Sequence, residues 1–588
     1  MNPVTINLRP LLFVFGLLLL NCVPSSAQEA DLIVHHGKVV AVDQKFTVSQ
    51  AMAIKDGLIL RVGSDEEILK LKGSKTESID LGGKMVLPGL MDSHTHPLSA
   101  AMTEFDHEIP AMESVAEVLA YIQSRTKTVP DGKWIVVQQV FITRLREQRY
   151  PNRAELDAAA PKHPVVFRTG PDASFNSLAL KLSGVDRNFK IPEGIAGRIE
   201  KDAHDDPTGI LRNFANYLKI PENTAAAPAD AQKEERLKQL FKGYNANGIT
   251  SIGDRDANPE VLALYQKLRA DGGLSVRVAL SHHIDNTGPI DAIQNSIRQV
   301  ALHPLFREKD PLLRIIGIKT FLDGGMLTGS AYMRQPWGVS DIYAITDPLY
   351  RGVLFIPKER LRPMVEAAVE SGLQFTAHSV GDGAVHTLLD VYGDIARTRS
   401  IRETRPCLTH ANFMSREAVE QIARLGVVVD MQPAWLYLDT RTLMKHFGDE
   451  RLRWFQPLHS LFEAGAIAGG GSDHMQKIGA LRAINPYHPF LGMWVAVTRQ
   501  AKNFEGALHP EEALTREQAI RFYTANNAYL LFREKDTGSL EAGKLADFIV
   551  LDTDLMTCAV DAVQRTQVLR TYLGGKVVYA RDDKDAVK

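Results

Sequence analysis

The chain has 588 residues, of which 45% are hydrophobic and 23% charged, with a formal net charge of −2 at pH 7. These are the proportions of a folded globular protein of more than one domain, and they exclude a disordered or collagen-like chain. The balanced charge shows no bias toward nucleic acid or an anionic membrane surface.

Arg9 precedes the apolar run Leu11 to Leu20, and Pro24, Ser25, Ser26 and Ala27 follow it. That order of charged, apolar and small residues predicts a secretory signal over 1–27, cleaved after Ala27. The run is too short to span a bilayer, and Asn21 before Cys22 makes a poor lipidation signal. The expectation is an exported soluble protein, periplasmic or extracellular, without a stable membrane anchor. The mature chain keeps Cys407 and Cys558, which could pair in an oxidising compartment but lie far apart without a spacing pattern and read as two buried thiols rather than a disulfide framework.

Residues 28–88 read as short strands. Asp56-Gly57 between Ala51–Ile54 and Leu58–Val62 predicts a hairpin, and short β segments also flank His36-Gly37. The far end, 533–588, has the same texture: one strand over Ala546–Asp552 and a hairpin around Gly574-Gly575. Two β-rich ends enclosing a long middle predict one sandwich assembled from both termini, against the alternative of two unrelated β-caps.

The middle, 89–532, changes character. An insertion over about 100–245 mixes helical stretches with short β-like pieces and a Pro/Ala-rich loop from Pro221 to Asp230. It is placed to form a wall over whatever the barrel carries. Beyond it, apolar strand candidates end at Asp254, Leu280, Phe321, His378, His410, Met431 and Asp473, with helical stretches between them. Together with the strand before His94 they number eight. That alternation predicts an α/β fold of the (β/α)8 TIM-barrel type, with a doubly wound open sheet as the alternative.

The strand before His94 starts in the apolar stretch Met85 to Met91, where Pro88 and Gly89 limit it to an entry or a bulge. It ends in His94 and His96. A strand has period two, so both imidazoles point the same way and can reach one metal ion, unless they are simply a surface pair. Reactive residues of a parallel barrel sit at the carboxyl ends of its strands. Four further strands carry Lys319, His378, His410 and Asp473 toward that end. Histidine and carboxylate ligands without cysteine suit zinc or another borderline divalent ion.

His94, His96 and Asp473 can hold one ion, and His378 and His410 a second. A buried Lys319 beside cations loses its proton readily, and its neutral amine can add carbon dioxide to become an anionic bridging carbamate. The plainer alternative is a salt bridge to Asp323 or Asp473. Bridged ions would lower the pKa of a shared water and polarise a scissile carbonyl. Asp473 could then take the water's proton and return it to the leaving nitrogen.

Val86 to His96, the strand Ile318-Lys319-Thr320-Phe321-Leu322-Asp323-Gly324-Gly325, the ends at His378 and His410, and Gly471-Ser472-Asp473 resemble the amidohydrolase superfamily. Gly538 to Phe548 is similar to its closing segment. The Lys-Thr-Phe-Leu-Asp-Gly-Gly form and the insertion after the histidine pair resemble amidohydrolase family 3, a branch that includes N-substituted formamide deformylases. The resemblance implies a metal-bound barrel with a composite sandwich that hydrolyses a non-peptide C–N bond of a small molecule. It implies His94, His96, His378, His410 and Asp473 as ligands and Lys319 as the bridge. Two zinc ions are the expected cofactor, and a homodimer is compatible with this class.

Asp382 reads as a helix cap. Trp435 and Tyr437 read as pocket lining or packing, Arg499 as an anion contact or an ion-pair partner, and His282 and His283 as residues near the pocket that are not ligands. An ester, lactone or phosphotriester hydrolase on the same site, and a catalytically silent binding protein, are the competing functions. No Gly-x-Ser-x-Gly elbow supports a nucleophilic serine hydrolase.

Overall fold

The stretch from Met85 to His96 is two strands in two different sheets. Met85–Pro88 lies in a six-stranded sheet and Leu90–Thr95 in the eight-stranded barrel sheet, with the chain crossing between them at Gly89. A Cβ on Gly89 would stand 2.1 Å from Thr250 Oγ1, so only glycine passes there. The computed structural model describes residues 29–581 apart from 139, 171, 194, 196 and 219–227. The signal stretch and most of the Pro/Ala-rich loop therefore lie outside the described residues.

The six-stranded sheet draws on both ends of the chain. Met85–Pro88 pairs antiparallel with Phe548–Leu551 and parallel with Lys38–Val40. Val568–Leu573 and Lys576–Ala580 extend one side as the hairpin at Gly574-Gly575. A four-stranded sheet orders Leu58–Gly63, Ala51–Lys55, Ala30–His35 and Lys72–Asp80, and includes the hairpin at Asp56-Gly57. Val34, Met52 and Ile54 from this sheet pack against Val39, Val86, Phe548 and Tyr572 from the other. The two sheets form a composite sandwich. His36-Gly37 is no hairpin, because the strands on either side of it belong to different sheets.

The barrel strands are β1 (Leu90–Thr95), β2 (Ile249–Ala257), β3 (Arg277–His283), β4 (Leu313–Phe321), β5 (Gln374–Ser379), β6 (Cys407–His410), β7 (Val428–Met431) and β8 (Ile467–Gly470). All neighbours pair in parallel, in chain order. These strands are buried along nearly their whole length, as expected when helices cover the outside. The helix Arg416–Leu425 shows how they are connected. Ser415 caps its start, Gly426 ends it in the left-handed conformation, and Ala418, Val419 and Ile422 face the barrel.

The seam between β8 and β1 is closed by individual bonds. Asp473 N–H donates to His94 O at 2.8 Å and His96 N–H to His474 O at 2.8 Å. Below them Asn527 Nδ2 donates to Met91 O and Gly470 O, both at 2.7 Å. The seam is tight: a Cβ on Gly471 would meet Ser93 Oγ at 2.8 Å and His94 N at 2.9 Å. Arg277, at the start of β3, forms a buried ion pair with Asp547 that fastens the barrel to the sandwich.

The insertion carries its own five-stranded sheet, in the order Arg198–Lys201, Pro207–Arg212, Asp172–Phe175, Val165–Thr169 and Ile135–Val137. It is bonded to segments that follow barrel strands at their carboxyl ends. The fully buried Arg212 donates to Thr328 O at 2.9 Å, after β4. Arg144 pairs with Asp439 at 3.0 Å, after β7. Lys477, after β8, donates to Ile109 O at 2.9 Å.

Candidate metal centre

His94 and His96 leave β1 on the same side, and Asp473 arrives beside them just after β8. His94 Nε2 and His96 Nε2 are 3.2 Å apart, and Asp473 Oδ1 lies 3.5 Å from the first and 3.2 Å from the second. Three ligands at about 2.1 Å around one tetrahedral ion stand about 3.4 Å from each other. The triangle therefore already has the dimensions of a metal site, and its donors suit a divalent cation.

The remaining rim residues lie alongside. The His410 ring is 4.9 Å from that of His94 and 4.6 Å from that of His378, centroid to centroid. His378 Nε2 sits 3.4 Å from Gly324 O and 3.9 Å from Asp323 Oδ1. Lys319 is 1% exposed, with Nζ 5.1 Å over the Phe321 ring. Among the described residues Lys319 makes no ion pair with Asp323 or Asp473, whose near partners of opposite type are histidines. Asp323 also accepts backbone N–H groups of Tyr332, Val380 and Gly381 at 2.9 Å each.

Two residues that the sequence reading passed over organise the histidines. Asp430, in β7, accepts from His94 Nδ1 at 2.9 Å and from Ser93 Oγ at 2.8 Å, and Arg255 Nε is 3.5 Å away. Gln432 accepts from His410 Nδ1 at 2.7 Å and donates to Asp430 Oδ1 at 2.9 Å. His94, Asp430, Gln432 and His410 thus form one buried chain. With each Nδ1 engaged as a hydrogen-bond donor, each Nε2 keeps its lone pair free to donate to a metal ion. The available signal was position: Asp430 ends the apolar run Val427 to Val429 at the same level as the other rim residues.

The electrostatics follow from burial. His94 and His410 are held well below the usual imidazole range by burial, and His378 is pushed to about 3 by burial and then by the Lys319 charge. All three are neutral and ready to ligate. Burial also lowers Lys319, against the opposing pull of Asp256, Asp430 and Asp473. His96 is the exception. Burial lowers it, but the Asp473 hydrogen bond and charge outweigh that and raise it overall. Strain collects at the ligand positions as well, since His410 has φ of 72° and Asp473 of 55°.

Other positions resolve plainly. Gly381, not Asp382, caps the helix Asp382–Ala396, and Asp382 accepts the backbone N–H of Arg334. Arg499 is fully buried and donates to the carbonyls of Phe455, Gln456 and Leu508, so it serves neither an anion nor an acid. Trp435 stacks on His410 at 4.6 Å, and Tyr437 packs on Trp494. His283 Nδ1 is 2.7 Å from Asp256, and His282 turns to its neighbour's carbonyl. His474 bonds Tyr244 and Lys477 O and is structural. Cys407 and Cys558 are free thiols; Cys407 is buried as expected, whereas Cys558 is only half-buried, beside Arg516. Among the described residues no helix is long and apolar enough to cross a membrane.

A closed parallel barrel whose strand ends converge imidazoles and a carboxylate at metal-site spacing defines the class of metal-dependent TIM-barrel hydrolases. The profile of the Amidohydrolase family matches residues 77–579. N-substituted formamide deformylase of Arthrobacter pascens is 30% identical over 563 residues, covering 94% of this chain and 99% of that protein. Protein LONG AFTER FAR-RED 3 of Arabidopsis thaliana is 27% identical over 572 residues, covering 95% of this chain and 93% of that one. The crystal structure of an uncharacterized metal-dependent hydrolase from Pyrococcus horikoshii OT3 shares the fold. Its TM-score is 0.65 at 22% identity, covering 90% of this chain and 99% of that chain. The chain belongs to the amidohydrolase family. It is a hydrolase of carbon–nitrogen bonds other than peptide bonds, acting on a small molecule.

Proposed function

We propose that this chain is an exported amidohydrolase that cleaves an N-substituted formamide or a similarly small amide at a centre of two zinc-type ions bridged by carboxylated Lys319. The observation that carries this reading is the triangle of His94 Nε2, His96 Nε2 and Asp473 Oδ1, with sides of 3.2 to 3.5 Å, beside a buried lysine. When bound, such ions polarise the amide carbonyl and lower the pKa of a water at the site.

The chain's own residues supply the rest. Asp473, raised by burial, accepts the proton released as water attacks the carbonyl carbon, and returns it to the nitrogen as the C–N bond breaks. Asp430 and Gln432 fix the tautomers of His94 and His410. Lys319, whose pKa burial lowers, would once deprotonated form an N–C bond to carbon dioxide with loss of one proton, giving an anionic carbamate that could serve as a metal ligand. Trp435, on the face of His410, provides an apolar wall for the substituent on nitrogen. The deformylase relative supports a formyl-sized acyl group. Export rests on the N-terminal pattern of Arg9, Leu11–Leu20 and Ala27.

The test is metal content of the purified mature protein, wild type against Lys319→Ala, with hydrolysis of an N-aryl formamide and the matching aryl formate ester. About one ion fewer per chain in the variant than in the wild type, with the amide turned over, is the expected result. Ester turnover alone, or metal content unchanged by the substitution, would overturn it.

A further inference from the structure

One cluster outside the barrel gathers metal-ligating atoms as the centre does. His35, His36 and Asp80 place one ligand atom each within 4.8 Å of one another. They come together through the sandwich. His35 ends the strand Ala30–His35, Asp80 ends the strand Lys72–Asp80, and the two are partners in that parallel pair. Successive residues of a strand face opposite ways. His36 escapes that rule because its φ is 52°, and the two imidazoles meet edge to face with centroids 4.6 Å apart.

The surroundings suit a cation. His36 Nδ1 is 2.9 Å from Asp80 Oδ2, and Asp80 Oδ1 is held in place by the Gly82 N–H at 2.9 Å. Asp65 accepts the His36 backbone N–H at 2.8 Å and keeps a second carboxylate oxygen 3.9 Å from Nε2, on the far side of the ring. A carboxylate behind a histidine is the arrangement that orients imidazole ligands. An ordinary surface pair would account for His36 and Asp80, at little gain in stability. It leaves His35 unexplained, whose Nδ1 is buried with no hydrogen-bond partner among the described residues. A buried polar atom left without a partner is costly.

We propose that His35, His36 and Asp80 form a further divalent-cation site, for a borderline ion such as Zn2+, Ni2+ or Cu2+. Two imidazoles and one carboxylate match that class of ion. His36 and Asp80 are more than half exposed, so water completes the coordination. The ion would join the ends of two strands of the four-stranded sheet to the turn that leads into the other sheet. It also changes how metal content is counted, since the sandwich would add an ion to those in the barrel.

The experiment titrates zinc chloride into the chelator-stripped full chain by calorimetry, comparing wild type, His35→Gln and His36→Asn. Asparagine tolerates the left-handed backbone, so the second variant keeps the local fold. All barrel residues are intact in each protein. The expected result is about one ion fewer per chain in both variants, with a larger zinc-dependent rise in Tm in the wild type than in either variant. Equal stoichiometry in all three proteins, or an extra wild-type ion bound only at millimolar zinc, would overturn the proposal. If neither variant folds, copper EPR on wild type with the barrel preloaded with zinc decides. Coupling to two nitrogens supports the site, and coupling to fewer rejects it.

Discussion

The two halves of the barrel rim are built differently. On the β1–β8 side, His94, His96 and Asp473 already stand at metal-site spacing, and backbone bonds across the seam hold them there. On the β4–β6 side, Lys319, His378 and His410 share a neighbourhood without converging, and His378 leans toward Gly324 O and Asp323. The first half is preorganised by the barrel's own closure. The second waits on a group that draws its members together, which is the role proposed for a carboxylated Lys319. The chain from His94 through Asp430 and Gln432 to His410 is the rigid link between them.

That contrast can be broken most severely at the triangle. Asp473→Asn should lower kcat/KM by about 1,000-fold or more and strip the first ion, because it removes both a ligand and the proton carrier. Metal analysis alongside initial rates checks both. Lys319→Ala should cost about 100-fold in kcat and about one of the barrel ions, leaving the triangle loaded. A variant that instead lost all its metal would show that the halves are not separable.

Smaller effects sharpen the comparison. Asp430→Asn leaves His94 without its charged partner and should weaken metal binding by about 10- to 100-fold. Gln432→Ala touches only the His410 side, so a drop of about tenfold, confined to the more weakly held ion, is expected in a chelator competition assay. Asn527→Ala removes two bonds at the seam, one to the β1 carbonyl and one to the β8 carbonyl. It should destabilise the fold by about 2–4 kcal/mol in denaturant melts, with only a few-fold loss of activity in the folded fraction.

Much of this architecture was legible in the chain. Apolar strands alternating with helices gave the barrel, because burial on both faces forces continuous apolar runs. The rim residues stood out because each ends such a run at the same level. What could not be read was anything set by register between strands. Asp430 looks like strand polarity until β7 is laid beside β6 and β8, and Gln432, one residue past the end of β7, looks like a helix-capping residue. The division at Gly89 was marked by Pro88 and Gly89 within the apolar stretch Met85 to Met91, but that its two halves serve separate sheets shows only in the pairing. The insertion's sheet rests on edges such as Arg198–Lys201, where half-buried charged residues give a weak β pattern.

The pairing of Met85–Pro88 with Phe548–Leu551 has a kinetic side. Among the described residues, a central strand of the sandwich gains its neighbour only after more than four hundred intervening residues have been synthesised. Non-local pairings of this kind slow folding and leave an open strand edge exposed in the meantime. Until the closing hairpin arrives, the nascent chain therefore presents Met85–Pro88 to any other strand it meets. A chain released short of Phe548 would carry that edge permanently, which makes truncation of the final strands a route to aggregation rather than to a trimmed enzyme.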